Sequence, residues 1–215
     1  MTAHAHDAPV EQPPVRGVIL GAGDPLTVGL IFFGIAALAL GMSLVGPELD
    51  FLPARSQAAI IPILVMGAGL FQVVTAVWAI LMGQSLVAAI FSTFSAFWLS
   101  FAALLLGLGH NWYGVTSADV ASAQEVYFIA WACLFLILTI PCLALPAIYP
   151  LAVGLVFVAC ALAASAVFTG SQNLFTAAGA TALTFAFLAF YSWVHVALKS
   201  VGIRALPPLG RPVFR

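Results

Sequence analysis

Gln72, Thr75, Ser92, Thr93, Ser95, Ser100, Thr184, Tyr191, Ser192 and His195 are the main polar side chains set in otherwise apolar stretches of this chain. The chemistry open to them is hydrogen bonding. The sequence has no HExxH, no glycine-rich phosphate loop and no nucleophile elbow that would turn them toward catalysis. Cys133, Cys142 and Cys160 show no CxxC spacing and read as small core residues. His195 is the one histidine within a predicted span, so a haem held by paired intramembrane histidines lacks its second ligand. An enzyme is therefore not expected, nor a cofactor, nor a metal site. No basic patch supports nucleic-acid binding.

In lipid, polar groups turn inward, either to bond a neighbouring helix or to line a wet path. For any single Ser or Thr the helix–helix bond is the simpler reading. Ser92 and Ser95, spaced i, i+3, share a face with Leu99, and that face is a candidate wall of a path. Gln72 is a second candidate, with an interhelical hydrogen bond as its alternative role. Asp24-Pro25 is a third feature. Asp24 accepts backbone N–H bonds as an N-cap, and Pro25 fills the first helical position, where a missing donor costs nothing. Beyond capping, such a helix N-terminus presents a positive dipole to an entering anion, which an ionised Asp24 partly cancels.

These residues are carried by a chain that is 64% apolar and 6% charged, far outside the range of a water-soluble domain. No Asp, Glu, Lys or Arg occurs from Ser56 to Ala118, or from Val126 to Leu198. The apolar runs predict an all-α integral membrane bundle of six spans: 26–45, 58–82, 85–109, 124–145, 149–169 and 174–199. Continuous apolar runs favour helices over the short alternating segments of a lipid-facing barrel. The basic residues Arg16, Lys199, Arg204, Arg211 and Arg215 flank the first and last spans, while Glu48, Asp50, Arg55, Asp119 and Glu125 fall in or beside the opposite loops. Both termini are thus expected to be cytoplasmic. Residues 1–23 lack the apolar core of a cleaved signal and are expected to form a disordered tail, in which His4 and His6 are solvated rather than metal-bound. Residues 24–200 then form the transmembrane domain and 201–215 a C-terminal tail. No internal repeat divides the chain.

Several stretches resemble one family, the acetate uptake transporters, also called succinate/acetate permeases. Asp24-Pro25-Leu26-Thr27-Val28-Gly29-Leu30 is similar to the Asn-Pro-Ala-Pro-Leu-Gly-Leu signature that opens their first helix. Gln72, Trp78, Gly83 and Gln84, then Phe91-Ser92-Thr93-Phe94-Ser95-Ala96-Phe97-Trp98-Leu99-Ser100, resemble their second and third helices, where the pattern runs Gly-Asn-Thr-Phe and Ser-Tyr-Gly-x-Phe-Trp. Val126-Tyr127 and Trp131 fit the fourth helix, and Arg204-Ala205-Leu206-Pro207-Pro208-Leu209-Gly210 the closing Leu-Pro-x-Gly segment.

The resemblance implies a six-helix protein of the bacterial inner membrane, assembled as a homo-hexamer. Each protomer would carry its own path for a small monocarboxylate such as acetate, with succinate moved by some members. Proton coupling and channel-like conduction are both described for the family. It implies a constriction at Phe33, Phe94 and Val156, whose apolar surface disfavours a dehydrated anion. Three departures fall near that path. Asp24 replaces the signature Asn, Phe94 the usual Tyr, and Ala79 the Glu that commonly follows the second-helix Trp. A hydroxyl and a carboxylate are thereby lost, and Asp24 adds a titratable group near the mouth. Two other readings remain open: a channel for a neutral solute such as urea or an amide, and a membrane assembly factor that transports nothing.

Overall fold

The computed structural model describes residues 23–53 and 58–214; the other residues, including His4, His6, Arg16, Arg55 and Arg215, lie outside the described residues. Six helices are long and apolar enough to cross a membrane: α1 (Leu26–Val45), α2 (Ile60–Leu81), α3 (Ser85–Gly109), α4 (Val120–Cys142), α5 (Ile148–Thr169) and α6 (Gln172–Ser200). The described residues contain no strand. The chain is an all-α, multi-pass membrane protein. Helices are the form in which such apolar runs pair every interior N–H and C=O within the segment itself.

The expected spans agree with the helices to within a few residues, and α4 departs furthest. It starts at Val120 rather than 124, because Asp119 opens it, accepting the Ala123 N–H at 3.0 Å through its carbonyl and the Thr116 hydroxyl through its carboxylate. The polar turn Ser122, Gln124 and Glu125 therefore extends the helix past its apolar part. At the other end Pro141 and Pro146 limit it, and residues 143–145 pass into turns. Gly83, at φ +71°, reverses the chain from α2 into α3, a conformation that glycine adopts without the steric cost of a Cβ.

The helices close into a ring. α1 packs against α2 and α6, α2 against α3, α5 against both α4 and α6. The seam between α3 and α4 is held by side chains, not by close backbone approach. Phe97 stacks with Tyr127 and meets Trp131 and Phe135 edge-on. The Tyr127 hydroxyl donates to the Phe97 carbonyl at 3.0 Å and lies 3.0 Å from the Ser100 hydroxyl.

Two backbone features let the helices on the other side approach. The first half of α2 is wound as a π-helix over Ile63–Gly69. Its last carbonyl, on Gly69, accepts the Ser95 hydroxyl of α3 at 2.9 Å. Glycines remove the remaining obstacles. A Cβ on Gly29 would lie 2.4 Å from the Phe91 ring and 2.7 Å from Thr75, and one on Gly41 would lie 3.0 Å from the Gly179 carbonyl of α6. Without a driving force from water between the helices, this close fit supplies the association energy.

Gly29→Ala should lower the thermal stability of the solubilised protein. The overpacking cost of about 1–3 kcal/mol exceeds the helix-propensity gain of roughly 0.5–1 kcal/mol. Gly67→Ala, whose Cβ meets nothing closer than Ile63 at 3.7 Å, should leave stability unchanged or raise it. Melting curves of the two variants check the contrast.

Candidate functional site

The ring encloses a line of cavities. The first, about 80 Å³, is walled by Leu26, Leu30 and Phe33 of α1, Val87 to Phe94 on one face of α3, and Leu145, Tyr149 and Val153. The second, about 40 Å³, lies farther along the same helices, between Leu40 and Leu44, Phe97 and Phe101, Val156 and Cys160, and Phe185 of α6. The third, about 390 Å³, opens at the far end. It shares Leu40, Leu44, Phe101, Phe128 and Phe175 with the second and adds Ser43, Glu48, Gln124 and Gln172. The first and second cavities are carbon-lined, and polar side chains enter only at the third.

Aromatic rings separate the first cavity from the second. Phe33 and Phe94 meet with centroids 4.5 Å apart, and both are buried. Phe185 stacks on Phe33 at 5.6 Å, and Phe135 of α4 stacks on Phe94 at 5.1 Å. Val156 is buried at 1% exposure and walls the second cavity beside Phe185. The structure therefore brings Phe33 and Phe94 into contact and sets Val156 just beyond them. In this arrangement the rings are in contact and leave the first and second cavities separate.

Phe135 and Phe185 escaped the sequence reading. One signal for Phe185 was present: Ala178, Ala182, Ala186 and Ala189 form a buried small-residue stripe on α6, and Phe185 is the large residue in it. Phe135 carries no comparable mark among the apolar residues of α4.

Ser92 and Ser95 require a correction. Neither lines the cavities described. Ser92 is exposed and donates to the Ala89 carbonyl of its own helix. Ser95 bonds Gly69, and Leu99 is the side chain a Cβ on Gly69 would strike, at 2.4 Å. The Ser95–Leu99 face is thus the contact with α2. The inner face of α3 is Val87, Ile90, Phe91, Phe94, Phe97 and Phe101, which follow each other at spacings of one, three or four residues.

Asp24 stands at the mouth of the first cavity as a cap. Its Oδ1 accepts the Leu26 N–H at 3.0 Å, and its carbonyl accepts the Thr27 hydroxyl at 2.7 Å. Pro25 already has helical angles and its carbonyl accepts the Gly29 N–H, so the cap-and-proline start holds. The Trp193 indole donates to the Thr27 carbonyl at 2.9 Å and ties this mouth to α6.

Gln72 is fully buried, and neither its Nε2 nor its Oε1 has a hydrogen-bond partner; the Trp98 Nε1 is buried and unpaired as well. The expected alternative for Gln72, an interhelical bond, is absent from this arrangement. Gln72 follows Gly69 by one turn, and Trp98 follows Ser95 by one turn, so the two orphaned groups flank the Ser95–Gly69 bond on either side. Trp98 lies 6.2 Å from the Phe33 ring. The described residues contain no His/Cys/Asp/Glu group able to hold a metal ion.

Leaving a buried amide unpaired costs about 1–3 kcal/mol, and an apolar residue of similar shape avoids that cost. Gln72→Leu should therefore raise the melting temperature of the solubilised protein. A fall would show that the amide is bonded in the folded state.

Comparison with known proteins agrees with this architecture. The bacterial acetate channel SatP superposes with a TM-score of 0.74, covering 87% of this chain and 99% of that one, at 23% identity; the likeness establishes the fold. Two proteins of Saccharomyces cerevisiae align with it: Ammonia transport outward protein 2, at 26% identity over 79% of this chain, and Accumulation of dyads protein 2, at 25% over 82%. The aligned regions take in 59% and 62% of those relatives, so this chain spans about three fifths of their length. The profile of the GPR1/FUN34/yaaH family matches residues 12–203, and the chain belongs to that family.

Proposed function

We propose that each protomer passes a small monocarboxylic acid such as acetic acid, in its neutral, protonated form, through the neck at Phe33 and Phe94. The observation that carries this reading is the carbon lining of the first and second cavities, with no basic side chain among the residues walling any of the three cavities. An isolated carboxylate moved into such surroundings loses solvation worth tens of kcal/mol in the Born limit, and no charge here compensates it. A protonated acid carries one donor and one acceptor on a two-carbon body and escapes most of that cost. Its passage is equivalent to moving an anion together with a proton. Val156 and Phe185 continue the neck into the second cavity.

Gln72 is fully buried and, like Ser92 and Ser95, walls none of the three cavities, so it is proposed to meet a substrate only in a state where the neck has opened. Its carboxamide offers one N–H and one C=O side by side, which complement a protonated carboxyl group and not a carboxylate with two acceptors. Asp24, at the mouth, repels anions when ionised. The protein is proposed to work as a homo-oligomer of the bacterial inner membrane, with the hexamer and cytoplasmic termini that the resemblance implies. Each protomer has its own line of cavities, so transport does not require a path between subunits.

A second reading, a small neutral solute such as urea, an amide or ammonia, is favoured by the same carboxamide and by Glu48, Gln124 and Gln172 at the far mouth, and one yeast relative is named for ammonia transport. Proteoliposome uptake of labelled acetate, succinate, urea and methylamine separates the two.

In that assay Phe94→Ala and Phe33→Ala should raise the succinate-to-acetate ratio several-fold by widening the neck, because each removes a ring from the barrier. An unchanged ratio in both would reduce these rings to core packing. Asp24→Asn keeps the cap, since Asn serves as well as Asp there. With the neutral acid as the species that passes, this variant should leave acetate uptake and the yield of folded protein unchanged, and a rise near neutral pH would show that the anion itself enters the mouth. Identical uptake at every pH would leave Asp24 with capping alone.

A further inference from the structure

We infer that residues 199–214 form a strap that docks on anionic phospholipid headgroups and transmits that contact to the mouth of the first cavity. The segment carries Lys199, Arg204 and Arg211 and contains no acidic residue. All three are exposed. Between and beyond them Val201, Ile203, Val213 and Phe214 expose apolar side chains, with Val201 at 72% and Val213 at 64%. Basic and apolar side chains interleaved at the end of a membrane-spanning helix suit a charged bilayer interface, where headgroups meet the cations and the acyl boundary takes the apolar groups. The far end has the opposite character: its described charged residues are Glu48, Asp50, Asp119 and Glu125.

The strap is fastened to the wall of the first cavity. The Ile148 N–H, one of the unpaired donors at the start of α5, donates to the Leu209 carbonyl at 3.1 Å, and the N–H groups of Val213 and Phe214 both donate to the Leu143 carbonyl. From α6, the Tyr191 hydroxyl donates to the Pro208 carbonyl at 3.1 Å, and His195 Nδ1 lies 2.6 Å from the Pro207 carbonyl, which fixes that nitrogen as the protonated one. Gly210, at φ +80°, lets the strap pass against Ala147, where a Cβ would approach to 2.8 Å. Leu145 and Tyr149, on the loop and helix start that the strap holds, line the first cavity. A force on Arg204 or Arg211 therefore reaches the mouth through a short series of hydrogen bonds.

Hydrogen–deuterium exchange of the full chain in nanodiscs tests this without reference to any substrate. Adding phosphatidylglycerol to phosphatidylcholine discs should slow exchange over 143–149 and 209–214 several-fold, at about fivefold per basic residue engaged. The double variant Arg204→Gln/Arg211→Gln, well folded by its oligomer profile, should lose that slowing, and high salt should weaken it in the parent. Equal exchange in both discs would overturn the proposal. So would equal slowing in parent and variant, or protection confined to residues outside the strap and the 143–149 segment, as expected for a cytosolic partner or a second copy.

Discussion

A polar group left unpaired away from water costs several kcal/mol, and in a bilayer the chain itself must supply the partners. That constraint organises the molecule. It explains why Ser and Thr hydroxyls so often fold back onto their own helices, as Thr75 does onto Phe71 and Ser192 onto Leu188, and why the cross-helix bonds are few and placed where helices most need fixing. Ser95 pins α2 to α3, Tyr127 pins α3 to α4, and Trp193 pins α6 to the start of α1. Glycine does the rest by letting backbones touch.

Against this background the exceptions carry information. Gln72 and Trp98 leave buried polar atoms unpaired within a bundle that otherwise pairs them, and both sit one turn from the Ser95–Gly69 bond, beside a π-wound segment. π-turns interrupt a regular ladder and recur at functional sites. The proposed neck at Phe33 and Phe94 is the complementary case. It has no polar group to offer, so whatever passes must bring its own charge balance. A protonated acid meets that condition, and a bare carboxylate does not.

Much of the fold was legible because membrane helices are written in composition. The spans α1 and α3 were placed at their observed ends by apolar length, and the start of α1 also by Asp24-Pro25. The start of α4 was not, because Thr116, Ser117, Asp119 and Ser122 look like a loop when polarity alone is read, whereas Asp119 allows the helix to begin at Val120, before the expected start at 124. Phe33 and Phe94 were singled out through a resemblance, not through periodicity: α1 is almost uniformly apolar, and the polar residues of α3 do not mark its inner face. Polarity suggested a wet face at Ser92 and Ser95, whereas Ser92 bonds its own helix and Ser95 serves the close contact with α2. The strap at 199–214 was unreadable as structure, since its hydrogen bonds are to carbonyls and amides that any sequence provides.

The charge of the species that crosses decides whether the proposed neck passes an acid or its anion. Acetate uptake into proteoliposomes, measured while a potassium gradient and valinomycin impose a membrane potential, reads it directly. Passage of the neutral acid predicts an initial rate that does not change with potential and falls about tenfold per pH unit above the pKa of the acid, which lies near 4–5 as for carboxyl groups in general. A rate that changes with potential and persists at alkaline pH would show the anion itself passing Phe33 and Phe94, and would contradict it.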